Sequence, residues 1–157
     1  MEEQAVRQTA ELAREILQTL IDKMNLRASV RILEASPTQI MLDIEGGQDL
    51  GIIIGRQGQT LNALQLVTSV VANKRAGTRY RILLDASGYR ARRAQALRLR
   101  AFEVAEQVKA TGKEALLESL KAHERRIVHL ALANDPDVYT YSEGEGERRN
   151  LVISPRD

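Results

Sequence analysis

The chain has 157 residues, 43% of them hydrophobic, no cysteine and a formal net charge of +2. That length admits one domain or two small ones, and the apolar content supplies an ordinary core. Without cysteine there are no disulfides or thiolate metal sites, no apolar run approaches the ~18 residues of a membrane span, and the acidic start "MEEQAVRQTA" does not read as a signal peptide, so a cytoplasmic location is expected.

Residues 3 to 24 carry a helical period, with Ala13, Ile16, Leu17, Leu20 and Met24 on one stripe. The period then changes to two. In "VRILEA" and "TQIMLDIEG" apolar residues alternate, Ile40, Leu42 and Ile44 share a face, and Ser36-Pro37 turns the chain, which predicts a β-hairpin. "GGQDLGIII" is a short helix at most, ending at Gly55. A longer helix starts near Gln59 and runs through Leu61, Leu64, Val67 and Val71 to Gly77, a suitable C′ glycine. "RYRILLDA" reads as a third strand, and "ASGYR" breaks the pattern. A boundary there gives an N-terminal helix plus first domain over 1–87 and a second domain over 88–157.

The second half opens with a helix over about 89–110, whose buried stripe is Ala94, Leu97, Ala101, Val104, Ala105 and Val108. "EALLES" predicts a short strand. "HERRIVHLALAN" predicts a helix stopped by Asp135-Pro136, and "VYTYS" and "NLVIS" are strands joined by the exposed, acidic "EGEGERR". Helices and strands are mixed in both halves, so the fold class is α+β.

Charge is unevenly placed. Lys74 to Arg100 holds nine basic residues and one acid, Asp85, so this segment is +8 and the remainder −6. A polyanion would feel that local field, although most charge runs are simply solvated helix faces.

The stretch "LGIIIGRQGQTLNAL" sets Gly55 and Gly58 around Arg56 and Gln57. A lone G-x-x-G is weak and can be a mere turn. Here it joins two helices inside an αβ unit. Backbone N–H groups at a helix start favour an anion, glycines let a phosphate backbone come close, and Arg56 and Gln57 add donors. Ile53, Ile54 and Leu61 beside it are candidates for an apolar groove taking unstacked bases. Neither a Walker loop nor a G-x-G-x-x-G fingerprint is present. With no Trp, one Phe and four Tyr, a base-stacking sheet would be hard to build, whereas a groove of the KH kind needs none.

In "ERRIVHLAL", Arg125 and His129 are four apart and therefore on one helix face, with Arg126 on the flank and Ile127, Val128, Ala131 and Leu132 opposite. A lone histidine is usually a surface residue; the paired reading is a phosphate-facing Arg-His couple. His123 and His129 fall on different faces, which argues against joint metal binding, and no carboxylate pair or nucleophile suggests an enzyme. No cofactor is expected.

The segments "IGRQGQTLNALQ", "LDASGYRARR", "ERRIVHLALAN" and "VYTYSEGE…RRNLVISP" together resemble the bacterial Jag family of SpoIIIJ-associated, KhpB-type proteins, over about residues 27 to 157. The resemblance implies a type II KH domain, a three-stranded sheet with helices on one face, followed by a small α+β R-3-H domain. It also implies binding of single-stranded RNA, as a chaperone or post-transcriptional regulator linked to cell elongation, division and peptidoglycan homeostasis. A smaller KH-domain protein and envelope-machinery proteins are the implied partners. Carried onto this chain, Gly55, Arg56, Gln57 and Gly58 would be the loop of the first domain and Arg125 and His129 the defining pair of the second, with Ile54 and Leu61 expected as contacts from their place beside the loop. Arg90, Arg92 and Arg93 on the arginine-rich helix, with Arg125, Arg126 and His129, would extend the track. Ser119-Leu120 stands where the family usually shows Pro-Met, and many members carry a further N-terminal domain. The alternative reading is a protein adaptor of the envelope machinery, with RNA secondary.

Overall fold

Helix α1 (Glu2–Lys23) buries Val6, Thr9, Ala10, Ala13, Leu17 and Ile21, three or four residues apart, and so presents one stripe. Glu2 and Glu3 stand at its positive end and Lys23 at its negative end. Asn25, at φ 58, then turns the chain back into β1 (Ala28–Ala35). The computed structural model describes residues 1–146 and 148–157, and divides into two units, Met1–Arg90 and Ala91–Asp157.

In the first unit β1 pairs antiparallel with β2 (Ile40–Gly46), and β2 pairs parallel with β3 (Ile82–Asp85), in the order β1-β2-β3. Val30 faces Ile44, Ile32 faces Leu42, and Leu42 faces Leu84, so one sheet face is aliphatic throughout. The register slips at Leu33, a bulge that leaves this side chain exposed. A parallel pair needs a crossover, and α2 (Leu50–Ile54) and α3 (Gln59–Ala76) supply it. Helices α1 and α3 cover the aliphatic face. Gln18 ties α1 to β1 by accepting from Val30 N–H and donating to the Ala28 carbonyl, at 2.9 and 3.0 Å.

The expected stripes differ in places: Met24 lies beyond α1 and is exposed, and α3 departs further. Helix α3 buries Leu61, Leu64, Thr68 and Ala72, while Leu66, Val67 and Val70 are exposed and Val71 is half-buried. The helix is apolar nearly all round, so spacing alone does not choose its inner face. Small side chains on both partners (Thr9, Ala10 and Ala13 on α1, Thr68 and Ala72 on α3) are the buried ones, which lets the two helices approach closely.

The second unit takes most of α4 (Tyr89–Thr111), then β4 (Ala115–Leu117), α5 (Ala122–Leu132), β5 (Val138–Glu143) and β6 (Asn150–Pro155). Its sheet is antiparallel in the order β4-β6-β5. Leu117, Val138, Leu151 and Ile153 meet Leu97, Ala101, Val104, Ala105 and Val108 of α4 and Val128 and Leu132 of α5 in a separate core. Ala94 is only half-buried. Lys109 bonds Asp135 at 2.7 Å, tying the end of α4 to the turn after α5. That bond, with a second from the Asp137 N–H, holds the Asp135 carboxyl below its ordinary range. Among the described residues no helix is long and apolar enough to cross a membrane.

Candidate nucleic-acid interface

Helix α2 ends at Gly55, with φ 72 and ψ 179, a region open essentially to glycine alone. Arg56–Gly58 then form one tight turn in which Gln57 (φ 56) and Gly58 (φ 77) are left-handed, and α3 starts at Gln59 with no side-chain cap. A Cβ on Gly55 would come within 2.8 Å of Thr60 Cβ, and one on Gly58 within 2.9 Å of Tyr89 Cε1. The space each glycine vacates is therefore filled from inside the unit. Close approach of a phosphate does not explain these glycines; packing and backbone geometry do. What the loop offers outward is exposed Arg56, half-buried Gln57 and the uncapped, positive start of α3.

The apolar groove expected beside the loop is not formed by the expected residues. Ile53 and Leu61 are 0% exposed and belong to the core, so Leu61 has no face for a base. Ile54 is half-buried, and the exposed aliphatic neighbour is Ile52. The signal for this was present: Leu61 begins the same stripe as Leu64.

The arginines of "SGYRARR" divide. Arg90 Nε donates to the Leu84 carbonyl at 2.8 Å, Nη1 to Asn62 Oδ1 at 2.9 Å and Nη2 to Gln65 Oε1 at 3.1 Å. Its guanidinium holds the turn that seats Tyr89 against Gly58. Asp85 Oδ1 accepts from the N–H groups of Ala86 and Arg90, and buried Asp43 accepts from Ser87 N–H at 3.0 Å. Arg93 Nε donates to Glu124 Oε2 at 2.8 Å, and Glu124 is only 3% exposed. Arg92 is exposed. The basic run is split as well. Lys74 and Arg75 occupy the last turn of α3, at about 1.5 Å per residue some 24 Å along the helix from Gly58.

In the second unit a cleft of about 380 Å³ opens between α5 and the β5–β6 edge. Arg125, Arg126 and His129 line it from the helix, Thr140, Tyr141 and Ser142 from β5, and Arg149 and Leu151 from the other side. Arg125 is half-buried, its Nη1 donating to the Leu120 carbonyl at 2.8 Å, which fixes the guanidinium. His129 Nδ1 shares a hydrogen bond with Thr140 Oγ1, orienting the ring on the exposed side. Glu124 Oε1 accepts from the Lys121 N–H at 3.2 Å, closing the first turn of α5. The expected pair thus lies together in one cationic concavity, joined by Arg149 and two hydroxyls that helical spacing did not reveal. Alternation in "VYTYS" does put Thr140 and Ser142 on one face.

Residues 10–84 match the family model described as the KhpA/KhpB KH domain, and residues 95–155 match the R-3-H domain. The chain is 39% identical over 141 residues to "RNA-binding protein KhpB" of Clostridium symbiosum, covering 89% of this chain and 63% of that protein. It is 36% identical over 140 residues to the protein so named in Bacillus subtilis (strain 168), covering 88% and 66%. Against the one in Streptococcus pneumoniae serotype 2 it is 28% identical over 137 residues, covering 87% and 41%. The chain belongs to the KhpB family.

It spans about two thirds of the length of the first two of these KhpB relatives and less than half of the third. In this KhpB-type chain the Gly55–Gly58 turn lies within the residues matched by the KH model, and Arg125 and His129 lie within those matched by the R-3-H model. Ser119 takes φ 62, which proline cannot adopt, so the loop before α5 has a geometry of its own.

Proposed function

We propose that this chain binds single-stranded RNA through two modules in series, over 1–87 and 88–157. The observation that carries the reading is the cleft of the R-3-H unit, which gathers Arg125, Arg126, His129 and Arg149 with two hydroxyls in one concavity. Guanidinium groups and hydroxyls at that spacing suit phosphate oxygens. The Arg56–Gln57 turn at the start of α3 would take a second stretch of backbone. The relatives' printed names point the same way. The role fits a non-enzymatic cytoplasmic RNA chaperone or post-transcriptional regulator connected with cell elongation, division and peptidoglycan homeostasis.

The test is fluorescence anisotropy with labelled single-stranded RNA at two salt concentrations, comparing wild type with Arg56→Asp/Gln57→Asp. Aspartate tolerates the left-handed backbone at 57, so the variant keeps the turn. Wild type is expected to lose affinity steeply with salt, and the variant to bind about tenfold or more weakly with a shallower slope. Salt-independent binding by the wild type sinks the reading; equal, salt-dependent binding by both removes the loop and leaves RNA contact to the arginine-rich helix or the cleft.

A protein partner has its own support. Leu66, Val67 and Val70 make an exposed apolar stripe on α3, suited to a second KH-bearing chain, the smaller KH-domain protein the family resemblance suggests. Leu66→Glu/Val70→Glu is expected to abolish that association while leaving RNA affinity within about twofold. Sedimentation with and without the partner reads the first effect and anisotropy the second. An unchanged complex counts against this surface.

A further inference from the structure

The second sheet has an open face that the cleft only partly uses. Alternation along β5 sends Val138 to the core and Tyr139, Tyr141 and Glu143 to the opposite face, where Val152 and Ser154 of β6 are their paired neighbours. Leu116 of β4 completes the row with Val152 and Tyr141. The two rings stack on each other with centroids 5.9 Å apart and planes at 25°. Tyr139 remains 43% and Tyr141 37% exposed, so half of the chain's four tyrosines lie side by side on one solvent-facing strand. The Tyr141 hydroxyl donates to Glu114 Oε2 at 3.1 Å. That bond fixes the ring and takes up the phenol, leaving its apolar surface as what it offers.

Tyr141 also borders the cationic cleft, and β5 is the open edge of the sheet, so the ring face and the cleft face meet at that strand. We propose that Tyr139 and Tyr141 form a base-stacking platform for single-stranded nucleic acid, reached around that edge from a phosphate track at Arg125, Arg126 and Arg149. This rests on the RNA-binding reading above and adds where the bases go. Charge sorts the two halves of a nucleotide. Glu114 and Glu143 stand with the rings and repel phosphate, whereas the cleft's arginines attract it. A base carries no net charge and has a π-face whatever its identity, so it can occupy the ring side while its phosphate lies in the cleft. Rings already stacked and anchored lose little freedom on binding, which favours this use over a flexible contact. The low aromatic count, an argument against a stacking sheet, is offset by concentration at one place.

The experiment uses the full chain and two labelled RNA strands of equal length, one intact and one carrying abasic sites at successive central positions. Tyr139→Leu and Tyr141→Leu keep apolar cover over Val152 and remove the π-face; Tyr139→Phe and Tyr141→Phe keep the ring. We expect each leucine variant to bind the intact strand about tenfold more weakly with an unchanged salt slope, because tyrosine neutralises no phosphate. On the abasic strand the leucine variants should match wild type; Tyr139→Phe should match it on both, and Tyr141→Phe, which keeps the ring but loses the Glu114 bond, should bind the intact strand more tightly than Tyr141→Leu. Leucine variants that bind the intact strand like wild type, or that lose equally on both strands, overturn the platform while the RNA reading stands. Wild type that binds neither strand overturns both.

Discussion

Arg93→Ala is expected to cost the second unit roughly 3 kcal/mol, the lower end of what stripping a partner from a buried charge removes. The lower end applies because the Arg93 side chain is 25% exposed while that of Glu124 is 4% exposed. Once Arg93 is gone, Glu124 still accepts from the Lys121 N–H, but a carboxylate that is almost wholly out of water has lost the charge of Arg93. A unit of this size has only several kcal/mol in all, so the loss is a large fraction of its stability. The double variant Arg93→Leu/Glu124→Leu should be less damaging than Arg93→Ala alone, since replacing both partners removes the desolvation cost along with the attraction. Hydrogen exchange at the amides of α5 and β6 reads the effect within the unit concerned. Equal protection in wild type and Arg93→Ala would mean the pair contributes little. The functional consequence is indirect: Glu124 precedes Arg125 on α5, so loosening the first turn loosens the wall of the cleft.

That ion pair also shows where reading the sequence stops. Arg93 stands in an arginine-rich segment and looks like a contact for a polyanion; nothing local says that it faces Glu124, thirty-one positions on. Arg90 misleads in the same way, because its partners Asn62 and Gln65 lie on a different helix. Long-range pairing of a charge is set by the fold, and no periodicity encodes it. The fold class and the succession of helices and strands were legible because turn residues and changes of period mark them directly, as at Ser36-Pro37, Gly77 and Asp135-Pro136. The Arg125–His129 adjacency was legible for the same reason, being a property of one helix. Arg149 was not, because its place in the cleft depends on the β5–β6 pairing. Helix α3 failed at an intermediate level. Its type was clear, but apolar residues spread around nearly the whole helix left several possible inner faces, and packing against the small residues of α1 chose one.

Two glycines four residues apart are expected to respond to alanine with opposite signs. Gly51 lies inside α2 with open space where a Cβ would go, so Gly51→Ala should stabilise the first unit by about 0.5–1 kcal/mol through helix propensity and a less free unfolded chain. Gly55→Ala should destabilise it by roughly 3 kcal/mol. The φ 72, ψ 179 backbone strains any side chain by about 1–3 kcal/mol, and the new methyl would collide with Thr60, whose own backbone N lies 3.0 Å from it. Gly58→Ala should fall between them. Its left-handed backbone costs about 1–2 kcal/mol, but the obstacle is the edge of the Tyr89 ring, which can shift where a helix backbone cannot. Chemical denaturation monitored alongside hydrogen exchange in α2 and α3 gives the order. A Gly55→Ala no worse than Gly51→Ala would mean that the turn relaxes freely, and that the glycines are there for a ligand after all. If the expected order holds, RNA binding lost on substituting Gly55 or Gly58 reports the fold of the loop. Only the side chains between them, Arg56 and Gln57, can then tell whether that loop meets a phosphate.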